Sequence, residues 1–180
     1  MFLFILDLSI ELESVSPIIY KLNRHFKKKT QVCSINFLQN NSNNKILEYL
    51  MLEGVNYDNY PIKNYKYFVW KFFLVFTHLI PKIYAKNFRN FFSSVYRNEI
   101  LFSTKEFESY LKKKKIKVVS MDTSIPKKKK EIIFDACKNL KIKIVGYNTG
   151  PEIIYHTGKI TSEYLKNFDY YLEQNKLRNI

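Results

Sequence analysis

Glycine is scarce in this chain. Only Gly54, Gly146, Gly150 and Gly158 occur in 180 residues, and that scarcity argues against two nucleotide-binding devices. The dinucleotide fingerprint needs three spaced glycines after the first strand, and the phosphate loop ends in Gly-Lys-Ser/Thr. Neither pattern is present. The two cysteines, Cys33 and Cys137, are far apart and match no metal-ligand spacing. They read as reduced, buried thiols of a cytoplasmic protein, one in a strand and one on a helix face. The three histidines, His25, His78 and His156, are too dispersed for a metal site. No serine sits in a Gly-x-Ser-x-Gly elbow. No metal and no cofactor is expected. Long apolar runs are missing as well: no segment reaches the about 20 residues that a membrane span requires. The N-terminal MFLFILDLSIELE has no basic leader and Asp7 interrupts it after six residues, so it reads as a first core strand rather than a signal peptide.

What is present is apolar bulk and positive charge. Hydrophobic residues make up 46% and aromatics 17% of the chain, which argues against disorder. The formal net charge is +14, from 30 Lys and Arg against 16 Asp and Glu. Such a balance suits an anionic partner, whether a phosphate-bearing ligand, a membrane surface or nucleic acid. The lysine runs, however, lie scattered along the sequence, and Asn, Ile, Tyr and Phe are over-used with them, so compositional drift is the leading reading. The aromatics read as core positions and no nucleic-acid motif appears, which weighs against a nucleic-acid partner.

Local signals alternate between strand and helix. Phe2 to Leu6 is a continuous apolar run, as in a strand buried on both faces. A polar turn with Ser9, Glu11 and Glu13 is expected next, then a helix opened by Ser16-Pro17 with Ile18, Ile19, Leu22 and Phe26 as its apolar stripe. Thr30 to Phe37 reads as a second strand, Lys45 to Leu52 as a short helix and Asn56 to Ile62 as a third strand. The span 65–92 is nearly all apolar and aromatic, and Pro81 breaks or kinks it. Ser103 and Glu106 form a capping-box pattern with a Phe102–Phe107 staple. The stretch from Lys115 to Glu152 is most telling. It reads as strand (Ile116 to Met121), a helix begun by Pro126 with Ile133, Ala136, Cys137 and Leu140 facing the sheet, strand (Ile142 to Tyr147), then a Gly-Pro turn. That is a βαβ unit. Phe168 to Leu172 is a last strand, and Asn175 caps a terminal helix. The expected fold is α/β, a Rossmann-like, doubly wound, mostly parallel sheet with helices on both faces, forming a single domain over residues 1–180 with the aromatic segment inserted.

In such a sheet the loops at the carboxyl ends of the strands face the ligand crevice. Glu11 and Glu13 after the first strand are therefore candidate general bases for a substrate hydroxyl, against a plain reading as solvated carboxylates near a helix start. Ser9, Asp122 and the turn Asn148-Thr149-Gly150-Pro151-Glu152 are candidate substrate contacts, as is His156. Trp70, Lys71, Phe73 and Phe76 offer a contact with an anionic membrane or a partner chain; the plain alternative is a buried helix.

The order FLFILD, then KVVSMD, then ACKNLKIKIVGYNTGP resembles the N-terminal half of a GT-B glycosyltransferase of the kind that builds bacterial surface carbohydrates. FDYYLEQNKLR resembles that half's last strand. The resemblance implies an acceptor-binding domain, with Glu11, Glu13 and the Asn148 to Glu152 turn lining the acceptor side. The C-terminal donor-binding domain that such enzymes carry is expected to be absent, Ile180 falling about where it would begin. The implied protein is inactive alone, either truncated or completed by a partner chain, acts on a sugar or lipid-linked acceptor, and is cytoplasmic with peripheral contact at the inner membrane face. The alternative is a stand-alone, non-catalytic Rossmann-like binding protein.

Overall fold

In a computed structural model, the structure describes residues 1–7, 9–35, 44–60, 103–147 and 167–172, with residues 66, 68, 69, 72, 75 and 87 singly between them. Six strands form one sheet: β1 (Phe2–Leu6), β2 (Thr30–Ser34), β3 (Asn56–Asn59), β4 (Val118–Asp122), β5 (Lys143–Tyr147) and β6 (Tyr170–Leu172). Their order is β3-β2-β1-β4-β5-β6, and every pairing is parallel. The expected α/β Rossmann-like architecture is what the chain adopts. Four helices are described: α1 (Ser9–Arg24), α2 (Lys45–Leu52), α3 (Thr104–Lys113) and α4 (Lys127–Leu140).

Side chains of a strand alternate between faces, and the two halves of the core follow that rule. Phe4, Leu6 and Val32 pack with Leu12, Val15, Ile19, Leu47 and Leu50 of α1 and α2. Leu3, Ile5, Cys33, Val119 and Met121 pack with Phe107, Leu111, Ile133 and Cys137 of α3 and α4 on the opposite side. The central strands are buried on both faces, which is why β1 reads as an unbroken apolar run.

The helix α1 departs from the sequence pattern. It begins at Ser9, so Ser9, Glu11 and Glu13 are helical and Pro17 is interior rather than at the first position. An interior proline leaves the carbonyl four residues earlier without its amide donor. Here that carbonyl belongs to Glu13, and the Ser16 hydroxyl donates to it at 3.2 Å. The earlier start also rotates the buried stripe onto Leu12, Val15 and Ile19, and leaves Ile18 and Phe26 exposed. Elsewhere the boundaries that fall on described residues hold within a few residues, while the expected terminal helix capped by Asn175 and the expected strand ends at Phe37 and Ile62 lie outside the described residues. Asn44 caps α2, its Oδ1 accepting from the amides of Ile46 and Leu47 at 2.9 and 3.2 Å. Ser103 precedes α3 as expected, but its hydroxyl donates to the Glu106 carboxylate at 2.9 Å and makes no bond to the helix backbone.

Helix exits repeat one device. Lys27, Lys115 and Lys141 adopt left-handed backbone angles, with φ of 49°, 53° and 55°, after α1, α3 and α4. A side chain there costs about 1–2 kcal/mol, and glycine is the usual occupant. After α2 the position is indeed taken by Gly54, at φ 85°.

Candidate functional site

The strand order reverses beside β1: the chain runs outward through β2 and β3, then returns to the other side of β1 as β4. Ligands of doubly wound sheets bind outside the carboxyl ends of the strands at such a reversal. Asp7 follows β1 there, Ser34 ends β2, Asp122 ends β4 and Tyr147 ends β5. Over them sit the first turns of α1 and α4, which bring Glu11, Lys129 and Lys130.

Burying charge is costly unless it is paired, so its placement is informative. Among the described residues six ionisable side chains of Asp, Glu or Lys are buried, and five of them, Asp7, Glu11, Asp122, Lys129 and Lys130, meet at this edge. Lys129 Nζ lies 2.6 Å from Asp7 Oδ1, an ion pair closed across 122 positions of sequence. The Asp7 amide donates to Glu11 Oε2 at 2.8 Å, which ties the start of α1 to the end of β1. Asp122 Oδ1 accepts from the Ser124 amide at 2.5 Å, and Lys130 Nζ donates to the Thr123 carbonyl at 2.6 Å. Burial lowers the Lys130 pKa and Asp122 opposes that shift. Tyr147 reaches over β4, its hydroxyl 3.4 Å from the Ile5 carbonyl. Burial, then the charges of Glu11 and Asp122, hold that phenol well above its ordinary pKa. The hydroxyls of Ser34 and Thr123 are buried atoms without a hydrogen-bond partner among the described residues.

The four lysines that open α4 run against the helix dipole, which favours acidic residues in a first turn. The contacts of Lys129 and Lys130 account for half of that run. The arrangement offers carboxylates that can orient or deprotonate a hydroxyl, and ammonium groups that can neutralise an anion.

Of the residues singled out from sequence, Glu11 and Asp122 come together here. Glu13 lies exposed on α1, and Ser9 opens that helix. Asn148, Thr149, Gly150, Glu152 and His156, with Trp70, Lys71, Phe73 and Phe76, lie outside the described residues. Of the neighbours of those aromatics, Phe68, Phe72 and Val75 are 71%, 60% and 63% exposed, and Lys66 is buried with its Nζ 2.6 Å from Glu106 of α3. Sequence reasoning missed Asp7, Lys129 and Lys130 as site residues. The signal available for the lysines was their position in the first turn of a helix, where basic residues are disfavoured. Among the described residues no group of three or more His, Cys, Asp or Glu is placed to hold a metal, and no helix is long and apolar enough to cross a membrane.

No family model matches the sequence, and no curated protein matches it. Solved structures do. A glycosyltransferase from Rickettsia africae ESF-5 superposes with a TM-score of 0.51 over 91% of this chain, at 11% identity. The chain has the fold of a GT-B N-terminal half. MurG from Acinetobacter baumannii aligns over 94% of the chain at 10% identity, with a TM-score of 0.48. The chain spans 32% of the Rickettsia enzyme and 39% of the MurG chain. The GT-B likeness at this identity is one of fold, and the residues of the crevice must argue the chemistry for themselves.

Proposed function

We propose that residues 1–180 form the acceptor-binding half of a GT-B-like glycosyltransferase acting in surface glycan biosynthesis. The nucleotide-sugar half is supplied from outside these residues, by a partner chain or by further sequence, and without it no sugar is transferred. The observation that carries this reading is the gathering of Asp7, Glu11, Asp122, Lys129 and Lys130 at the sheet reversal. In this reading Asp7 and Glu11 border the acceptor hydroxyl and one of these carboxylates takes its proton. Asp122 and the turn from Asn148 to Glu152, with His156, hold the sugar ring. The exposed Phe68, Phe72 and Val75 extend the apolar segment of Trp70, Phe73 and Phe76 and supply a contact surface for the donor half.

A second reading has one observation in its favour: the crevice charges already satisfy one another, Asp7 with Lys129 and with Glu11 through its amide. That would suit a stand-alone binding domain without catalysis. Saturation-transfer NMR with free and lipid-linked saccharides, and separately with nucleotide-sugars, tests both. The acceptor reading expects saccharides to be saturated by the wild type and lost in Asp122→Asn. Binding of nucleotide-sugars alone, or of neither class, would sink it.

A further inference from the structure

The two ends of the sheet are built from segments of very different charge. Residues 1–62, which supply β1, β2, β3, α1 and α2, hold six Lys and Arg against six Asp and Glu. The whole excess of +14 therefore belongs to residues 63–180, which supply β4, β5 and β6. The strand order puts β3 at one end of the sheet and β4, β5 and β6 toward the other. The outer edge of β3 thus closes the neutral half. From the basic half, Lys114 at the end of α3 reaches this edge, where it is paired with Asp58 at 2.5 Å.

The edge is open and unguarded. No described strand pairs with the outer side of β3, and Asn56 and Asn59 are exposed where every residue of β2 is buried. Natural edge strands are protected by lysine, proline or a bulge. Asn56–Asn59 contains no lysine and no proline, and it pairs with β2 in unbroken register. The Tyr60 amide donates to the Ser34 carbonyl at 2.8 Å. Backbone groups alternate in direction along a strand, so Asn56 and Asp58 also face β2, and the amides and carbonyls of Tyr57 and Asn59 point outward. Beside the strand, α2 presents Tyr49, Met51 and Leu52 at 48%, 51% and 87% exposure. An apolar groove of about 520 Å³, lined by Leu47, Glu48, Met51, Leu52 and Tyr57, lies between them.

We infer that this edge pairs with the same edge of a second copy, antiparallel about a two-fold axis at Tyr57, to give one continuous sheet. Identical edges are self-complementary under such an axis. Centring the pair on Asp58 would set two carboxylates directly opposite each other, which is unfavourable. Centring it on Tyr57 sets the two phenol rings side by side and Asp58 opposite Asn56. The two α2 helices then run beside each other and cover Met51 and Leu52. The charge names the occupant. Two chains of +14 repel, and this contact holds their basic halves at opposite ends of the assembly. A strongly acidic partner would be drawn to the basic half instead. The inference goes beyond the glycosyltransferase reading and does not depend on it: both crevices stay clear and open in opposite directions.

Sedimentation equilibrium of the full 180-residue chain is the test. A small interface of this kind is weak, so a two-chain mass is expected by about 100 µM. Raising salt from about 0.05 to about 0.5 M should tighten it, because the basic halves are then screened from each other. Leu52→Lys with Asn59→Lys sets like charges across the axis and should weaken association by at least about 100-fold. Asn167→Lys with Tyr170→Lys, both exposed at the β6 end, adds the same charge and should leave it unchanged. Under oxidation Tyr57→Cys should form an inter-chain disulfide, since the paired Cα atoms lie about 5.5 Å apart. Asn59→Cys should not, its two copies being about 13 Å apart along the strands. Cys33 and Cys137 are buried and stay out of that reaction. A monomer at about 100 µM overturns the proposal and leaves the edge to a different protein. So does a dimer that survives Leu52→Lys with Asn59→Lys, one that dissolves as salt rises, or the absence of a Tyr57→Cys cross-link. The substituted side chains at 52, 59, 167 and 170 are exposed, and a wild-type-like thermal melt of each variant confirms the fold.

Discussion

The ion pair between Lys129 and Asp7 allows a quantitative test of the crevice. Lys129→Met removes the cation and keeps the length of the side chain. It leaves the Asp7 carboxylate only 12% exposed, with its Oδ1 partner at 2.6 Å gone. Breaking one side of a buried pair costs about 3–5 kcal/mol, and the slight exposure of both partners puts the expectation near 3 kcal/mol. Asp7→Asn should cost a similar amount, because the ammonium then faces a neutral amide. The double variant removes both charges, so its loss should fall short of the two single losses together, giving a coupling energy of about 2 kcal/mol. Urea denaturation followed by far-UV circular dichroism at pH 7 measures all four corners, with equal slopes in denaturant confirming comparable unfolding. A cost under about 1 kcal/mol for Lys129→Met, with additive single losses, would match a solvent-screened surface pair. It would refute the claim that the crevice is a desolvated, pre-organised charge cluster.

Two other outcomes follow from the packing. A methyl group on Gly146 would sit 2.8 Å from Cδ1 and Cε1 of the Phe168 ring, so Gly146→Ala should cost about 1–3 kcal/mol by overpacking, and adding Phe168→Leu should return part of it; a melting temperature unchanged by Gly146→Ala would show that the ring moves freely. Burial pushes the thiols of Cys33 and Cys137 up from 9.0 to about 12, so both should resist Ellman's reagent at pH 8 until the chain is unfolded. Because the folded protein holds those protons more tightly, their contribution to stability is complete below pH 9 and is lost as pH rises towards 12. A Cys33→Ala, Cys137→Ala variant whose urea midpoint falls as steeply as the wild type over that range would contradict the assignment.

The parts of the fold that were legible in the sequence are those written locally. The apolar run of β1, the Asn44 to Gly54 bounds of α2 and the βαβ unit around Pro126 all declare themselves within a dozen residues. The start of α1 did not, because Ser16-Pro17 imitates a helix opening, and the Ser16 hydroxyl that accommodates an interior proline cannot be seen without the helix. The crevice was legible by half. Glu11 and Asp122 follow from the rule that ligands gather at strand ends, whereas the partnership of Asp7 with Lys129 depends on β4 returning beside β1.

The Tyr147 hydroxyl has a mechanical consequence. By reaching from the end of β5 to the Ile5 carbonyl of β1, it spans the full width of β4 and links three strands at the crevice floor. Hydrogen exchange at Ile5, Met121 and Tyr147 should then be among the slowest in the chain and should respond as one unit. Any widening to admit a ligand then falls to the first turns of α1 and α4, of which α4 is tied to the end of β1 by the Lys129–Asp7 ion pair and α1 by the bond from the Asp7 amide to Glu11.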